Sequence, residues 1–379
     1  FSITEFESYF KCPYSYYLDH ILKLARGDKD VDKTASYCGD MIHKIFEDIY
    51  TKDYSSFDDA YEDSFQKGLE EYKANKGEEL TVEEKAYVFF VHKWLKDILK
   101  TALSQKDSAN IVSEDWEMDV PFELKEDGKS IPVHARIDKI VHSVGSTGQK
   151  YYTIIDYKTG VSGDFEIDKV FLGGSLQLPL YYIALNQEEN QRLISHQTED
   201  FGGFGIEHIY FSKSVPTDST LHEYNQKAIY EKMRITGITS ADTDYLSSFD
   251  STTMQKNKKG ELKLKNGNFL SIKNSIGMDF ADSILVNDYT MSDLLEDART
   301  AAFRISDAIR RGEFPIRPVL DSAKGMMGKE KCSFCPYSSI CYHSKKDVRD
   351  IRPEIDKHIG REPGNEIDEE SEDSEDVNE

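Results

Sequence analysis

Asp138, in Ala135-Arg136-Ile137-Asp138-Lys139-Ile140, and the pair Asp156 and Lys158, in Ile154-Ile155-Asp156-Tyr157-Lys158-Thr159-Gly160, have the types and spacing to do chemistry. Each cluster follows or ends an apolar, β-prone run, so two adjacent strands can bring two carboxylates and one ammonium to one point. Two carboxylates can hold a hard divalent cation, Mg²⁺ or Mn²⁺, which takes oxygen ligands and keeps several waters. A lysine beside that cation can position or deprotonate a water, or neutralise charge developing on a phosphate. These are the parts of metal-assisted phosphodiester hydrolysis. An Asp two residues before a Lys is also common as a surface ion pair, and strand-borne charges can form a structural network. Against such a network, three charges beside apolar strand interiors are costly to desolvate unless a cation joins them.

The elements that must position these groups can be read from apolar periodicity and turn chemistry. Ser2 to Leu24 reads as a helix capped by Ser2 or Thr4 and bent at Cys12-Pro13. Gly27 to Lys33 reads as a charged loop. Residues 35–51 and 84–104 have helical periodicity, with Ile42, Ile45, Phe46 and Ile49 on one side, and 56–75 are helical but more polar. Residues 112–124, 131–143 and 151–157 read as three strands of a meander, with turns at Asp127-Gly128 and Gly145-Ser146-Thr147-Gly148. A helix over 175–187 and a strand over 205–211 follow. Residues 291–311 read as a helix stopped at Gly312 and Pro315.

Other features flank this centre. Gly39-Asp40-Met41-Ile42-His43 opens a helical run, and Gln177-Leu178-Pro179-Leu180-Tyr181 follows the strands. Cys12 lies near one end of the chain, and Cys332, Cys335 and Cys341 near the other. In this order, the features resemble the RecB-type branch of the PD-(D/E)XK nuclease superfamily. More narrowly they resemble its iron–sulfur members, the AddB-like nuclease domain and the CRISPR adaptation exonucleases. The resemblance runs from Ser2 to about His343.

The resemblance implies an α/β fold: a PD-(D/E)XK nuclease core, with a mixed central β-sheet flanked by helices. It adds a helical N-terminal region and a Cys-cluster staple joining the N- and C-terminal parts. It implies that His43, in a Gly-x-x-x-His motif, is a third metal ligand beside Asp138 and Asp156, and that the Tyr157 carbonyl also coordinates. A histidine at a helix start, taken alone, is more often a core or surface residue. The resemblance also gives Gln177 and Tyr181, spaced i, i+4 on one helix face, a catalytic part with Asp138, Asp156 and Lys158: orienting the DNA backbone or Lys158. By themselves they would belong to an aromatic face with Leu178 and Tyr182. Glu114 and Glu117, carboxylates near a strand, receive no role.

Five cysteines without a secretory signal argue against disulfides. Cys332-x-x-Cys335-x-x-x-x-x-Cys341 is a tight metal-binding spacing that needs a fourth ligand. The resemblance supplies Cys12, with His343 as a weaker substitute. Four thiolates suit a [4Fe–4S] cluster or structural Zn²⁺; spacing does not decide between them, and the resemblance favours iron–sulfur. Cys38 reads as a small core residue.

At 379 residues the chain suits one core with insertions. The expected organisation is an N-terminal helix with the first cluster cysteine at 1–30, a helical region with the His motif at 31–110 and a nuclease core at 111–211. A variable insertion at 212–290, with possible strands at 261–264 and 268–273, precedes a C-terminal helix and Cys cluster at 291–355 and an acidic disordered tail at 356–379. The tail reading rests on composition: ten acidic and no basic residues between Glu362 and Glu379. The net charge of −23 opposes the basic footprint expected of a nucleic-acid binder, and −13 remains without the tail. Either a basic groove is hidden in the sum or a partner grips the DNA.

No apolar run reaches the roughly 20 residues that span a bilayer, and no signal peptide is visible, which predicts no membrane and a bacterial-type cytoplasmic location. The missing initiator Met predicts a fragment or a processed product. By analogy the resemblance implies a metal-dependent DNA nuclease, an exonuclease of recombinational repair, partnered by DNA and by a helicase subunit or a missing N-terminal helicase-like region. The alternatives are a CRISPR-type spacer-processing nuclease and a non-catalytic DNA-binding or scaffolding module.

Overall fold

The computed structural model describes residues 1–24, 33–76, 79–106, 110–126, 128–158, 165–190, 198–209, 233–240, 242–256, 262–278, 284–286, 289–322, 332 and 335–358. The readings for the Gly27–Lys33 loop (apart from Lys33) and for the acidic tail beyond 358 lie outside these residues, as does the side chain of Cys38.

The meander appears as three long strands, β1 (Ile111–Glu126), β2 (Lys129–Val144) and β3 (Lys150–Lys158). With β4 (Glu199–His208), β5 (Ile235–Ser240) and β6 (Leu270–Met278) they form one six-stranded sheet in sequential order. The pairs β1–β2, β2–β3 and β4–β5 are antiparallel, and β3–β4 and β5–β6 are parallel. The sheet is therefore mixed, as the resemblance implies. Two of its strands come from 212–290. β5 escapes sequence reading because Ile235-Thr236-Gly237-Ile238-Thr239-Ser240 has only two large apolar residues to mark it.

Along β1, Val120, Phe122 and Leu124 alternate inward, and along β2 Ile131, Val133, Ala135 and Ile137 do the same. This alternation ends at Asp138. From 139 to 143 every residue of β2 is buried, as are 151–157 of β3. Here the sheet passes from covered on one face to covered on both.

The covering helices are α1 (Ile3–Lys11), α2 (Lys33–Thr51), α3 (Phe57–Lys76), α4 (Val82–Lys106), α5 (Gln177–Leu185) and α6 (Met291–Arg310). α1, α5 and α6 share a core with β1–β4, through Phe6, Phe10, Leu178, Leu180, Ala301 and Ile305. α2, α3 and α4 form a second core that reaches the sheet at Tyr157. α1 starts at a capping box: Ser2 Oγ accepts from the Glu5 N–H at 3.3 Å, and the Ser2 N–H donates to Glu5 Oε2 at 2.6 Å. It stops at Cys12, which is extended (φ −170°, ψ 112°) because the following Pro13 disfavours the helical region. Among the described residues no helix is long and apolar enough to cross a membrane.

Near the β2–β3 turn, His142 ties β2 to β1 and β4. Its Nδ1 lies 2.8 Å from Glu199 Oε2 and its Nε2 3.0 Å from Asp115 Oδ2. Burial opposes its charged form, but these two carboxylates prevail and raise its pKa above 6.5. A raised histidine pKa gives stability that is fully present below the unfolded value and lost as pH rises through the folded value. The urea midpoint should therefore fall across that window, and His142→Gln should flatten the profile. An unchanged profile would remove His142 as its source.

Candidate active site

The hairpin and sheet registers place three carboxylates side by side. β1 and β2 pair Trp116 with Lys139 and Met118 with Ile137, so Glu117 falls opposite Asp138. β2 and β3 pair Lys139 with Ile155, so the next position sets Asp138 beside Asp156. Opposed residues in adjacent strands bring their side chains within contact range. Glu117 adopts φ +49°, a left-handed conformation that a glutamate rarely takes, that costs roughly 1–3 kcal/mol and that persists only where the surroundings hold it. That strain sits at the carboxylate row.

α2 lays His43 against the row. Its apolar residues Met41, Ile42, Ile45, Phe46 and Ile49 are buried, and His43 stands edge-on to the Tyr157 ring at 5.7 Å. His43 Nδ1 is 3.4 Å from Glu117 Oε1 and 3.9 Å from Asp138 Oδ1. One ligand atom from each of His43, Glu117 and Asp138 lies within 4.8 Å of the others. Burial works against the His43 cation, but Glu117 and Asp138 raise its pKa. Asp138 is pushed up to about 7 by burial and then by the Asp156 charge, against the pull of His43 and of the Tyr157 N–H, which donates to Asp138 Oδ2 at 2.8 Å. Burial also raises Glu117, but His43 and Arg136 outweigh it and hold the carboxyl low; Arg136 Nε is 2.6 Å from Glu117 Oε2. Nitrogen and oxygen donors crowded at this cost in mutual repulsion fit a divalent cation, whose charge would relieve it.

Asp156 and Lys158 close the other side. Asp156 is 1% exposed and forms an ion pair with Lys158. Lys158 Nζ also donates to Gln177 Oε1 at 2.9 Å, and Gln177 Nε2 donates to Tyr181 Oη at 3.3 Å. The i, i+4 pair on α5 thus orients the lysine. Glu7, from α1, accepts from the N–H groups of Leu176 and Gln177 at 2.7 and 3.3 Å, at the α5 N-terminus. Burial raises the Glu7 pKa, while the Lys11 and Lys158 charges lower it. Lys158, penalised by burial, is nonetheless raised by Asp156, with Glu7 and Asp138 adding to it.

The structure thus places the candidate residues Asp138, Asp156, Lys158, Gln177, Tyr181 and His43 around one point, with Glu117 and Glu7 beside them. Glu117 had a signal: the pairing of Glu126 with Lys129 at the end of the hairpin, counted back along both strands, opposes it to Asp138. Glu7 had none, since it arrives from 169 residues away.

Behind the row, Lys139 is 1% exposed, with Nζ 3.2 Å from Glu114 Oε1 and 3.6 Å from Glu207 Oε2. The rings of Tyr50, Trp116 and Tyr157 surround it at 4.9, 4.8 and 5.7 Å. This buried network pins β1, β2 and β4 where Asp138 emerges.

At the far end of α1, Cys12, Cys332, Cys335 and Cys341 line one cavity with Ser15 and His343. Burial raises the Cys341 pKa, and the neighbouring Cys12 and Cys335 raise it further. Thiols gathered from both ends of the chain fit a tetrathiolate group.

The family model of the PD-(D/E)XK nuclease superfamily matches residues 1–342. The chain is also similar to one subunit of the ATP-dependent helicase/deoxyribonuclease in each of three bacteria. That of Staphylococcus carnosus is 22% identical over 90% of this chain and 30% of its own. That of Clostridium acetobutylicum is 24% identical over 98% and 33%. That of Clostridium perfringens is 25% identical over 95% and 32%. The chain therefore spans about a third of the length of these relatives.

Proposed function

We propose, from the premise that this chain belongs to the PD-(D/E)XK nuclease superfamily, that it cuts DNA phosphodiester bonds with a divalent cation, Mg²⁺ or Mn²⁺. His43, Asp138 and Asp156 hold the cation, with Glu117 as a further carboxylate. The observation that carries this reading is the row Glu117–Asp138–Asp156 at adjacent register positions, with His43 on one side and Lys158 on the other.

When bound, the cation polarises the phosphate and lowers the pKa of water. The protein's own groups do the rest. Asp156 and Gln177 hold the Lys158 ammonium, which sets a positive charge against an attacked phosphate or orients a water. Tyr181 fixes the Gln177 amide, and Glu7 fixes the start of α5, so Lys158 is placed before substrate arrives. The Tyr157 N–H fixes one oxygen of Asp138 and leaves the other facing His43.

The likeness to helicase/deoxyribonuclease subunits supports a place in a helicase–nuclease that processes DNA ends exonucleolytically during recombinational repair, with a helicase as partner. The cysteine cavity supports a [4Fe–4S] cluster, or structural Zn²⁺, tying Cys12 to Cys332, Cys335 and Cys341.

The test is cleavage of end-labelled linear DNA by anaerobically purified protein with Mg²⁺, with Mn²⁺ and with EDTA. Cleavage should need the metal. Glu117→Gln should raise the metal concentration for half-maximal rate by about 10- to 100-fold, the scale on which groups around a metal set its affinity. Cleavage in EDTA would defeat the metal-dependent reading, and no cleavage with the cluster intact by absorbance would defeat the nuclease reading and favour a binding module. A metal dependence unaltered in Glu117→Gln would remove Glu117 from the site.

A further inference from the structure

A cavity of about 560 Å³ opens between α1, the 3₁₀ turn Ile167–Leu172 and α6. Its walls are Tyr9, Phe10, Leu172 and three arginines, Arg304, Arg317 and Arg349. In a chain of net charge −23, three guanidiniums in one cavity are unexpected.

Two of them are fixed. Arg304 Nη2 donates to the carbonyls of Phe171 and Leu172 at 3.0 and 2.9 Å. Arg349 grips Glu354 through Nε at 2.8 Å and Nη2 at 2.6 Å. Arg317 makes no hydrogen bond or ion pair among the described residues. Glu354 feels all three: its hydrogen bond with Arg349 leads in holding its carboxyl low, and the charges of Arg317 and Arg304 add to it. Burial and then the Arg349 charge lower the pKa of Arg304. Glu313, also at the cavity, is hydrogen-bonded to Arg311. With Glu313 paired to Arg311, two carboxylates, Glu354 and Asp297, answer the three guanidiniums, and the local excess is still positive.

The cavity adjoins the candidate active site through α1. Tyr9 and Phe10 line it, and Glu7, about one helical turn earlier, braces Gln177. The cavity and the candidate active site thus share α1 as a wall or brace.

We propose that Arg304, Arg317 and Arg349 form an anion site that takes a backbone phosphate of the nucleic-acid strand, away from the cleaved bond. Planar guanidiniums bind phosphate oxygens in pairs, and a site already held by Phe171, Leu172 and Glu354 loses little freedom on binding. The site supplies the basic footing that the chain's composition conceals. This assignment rests on the nuclease reading only for the identity of the strand.

The test is fluorescence anisotropy of a labelled oligodeoxynucleotide, single- and double-stranded, with the full chain in EDTA over a salt series. Arg317 makes no such contact, so its variants should fold. Arg317→Gln should weaken binding and reduce the slope of log affinity against log salt by about 1, the signature of one lost phosphate contact. Arg317→Glu should weaken it more, and Arg317→Lys should keep most of it. Affinity and slope unchanged in Arg317→Glu, or no binding by the unaltered chain, overturns the proposal. So does thermal protection by inorganic phosphate that Arg317→Glu abolishes while DNA binding persists, since the site would then serve a free anion. A chain that binds through Arg317 but does not cleave with Mg²⁺ sinks the nuclease reading alone.

Discussion

Asp156→Asn should lower the rate of metal-dependent DNA cleavage by about a thousandfold or more and leave the fold intact. A cation's stabilisation of developing charge is worth several kcal/mol, and each 1.36 kcal/mol is tenfold in rate. Asn keeps the shape of Asp156 but removes the charge that serves the cation and anchors Lys158. Lys158 still has Gln177 and the charges of Glu7 and Asp138, so no cation is stranded. The Asp156 charge also contributes to raising Asp138 and Glu7, so its loss relieves both. The two readouts are initial cleavage rate at saturating Mg²⁺ and the urea midpoint. A rate within tenfold of the parent sinks the assignment of Asp156. Loss of rate together with loss of the folding transition would show a structural role instead. Lys158→Ala should likewise abolish cleavage, and retention by both variants would sink the mechanism.

Lys139→Met should destabilise the protein by about 3–5 kcal/mol, the cost of breaking a buried ion pair by removing one partner. Glu114 and Glu207 are almost fully buried, and without Lys139 neither carboxylate has its cation. Burial already outweighs Lys139 in raising the Glu207 pKa, so the variant's deficit should shrink as pH falls and the carboxyls take up protons. Adding Glu114→Gln and Glu207→Gln should recover most of the loss, because replacing a whole buried ionic set is often near neutral. Equilibrium urea unfolding at neutral pH measures each step. A change below about 1 kcal/mol in Lys139→Met would show that water or rearrangement compensates, and that the network does not pin the strands. Because Lys139 follows Asp138, the variant should also disturb the carboxylate row.

By itself the sequence determined the local parts. The strands of the meander, the turn at Gly128, the capped and bent first helix and the i, i+4 pair Gln177 and Tyr181 are set by period and turn chemistry acting over a few residues. Asp138, Asp156 and Lys158 were legible because each ends or interrupts an apolar run, where a charge needs a reason. Glu117 was within reach of the same logic once the hairpin register was counted.

Only the tertiary structure decided the rest. Glu7 braces α5 from α1, 169 residues earlier in the chain, and β5 and β6 join the sheet from a polar stretch. Lys139 gains its partners from β1 and β4. The three arginines of the cavity come from α6, the loop after it and the segment before the helix Arg352–His358, and nothing in their spacing announces one another. Periodicity records which side of an element is apolar. It does not record which distant element covers that side, and a buried charge is stable only through the particular partner that packing delivers.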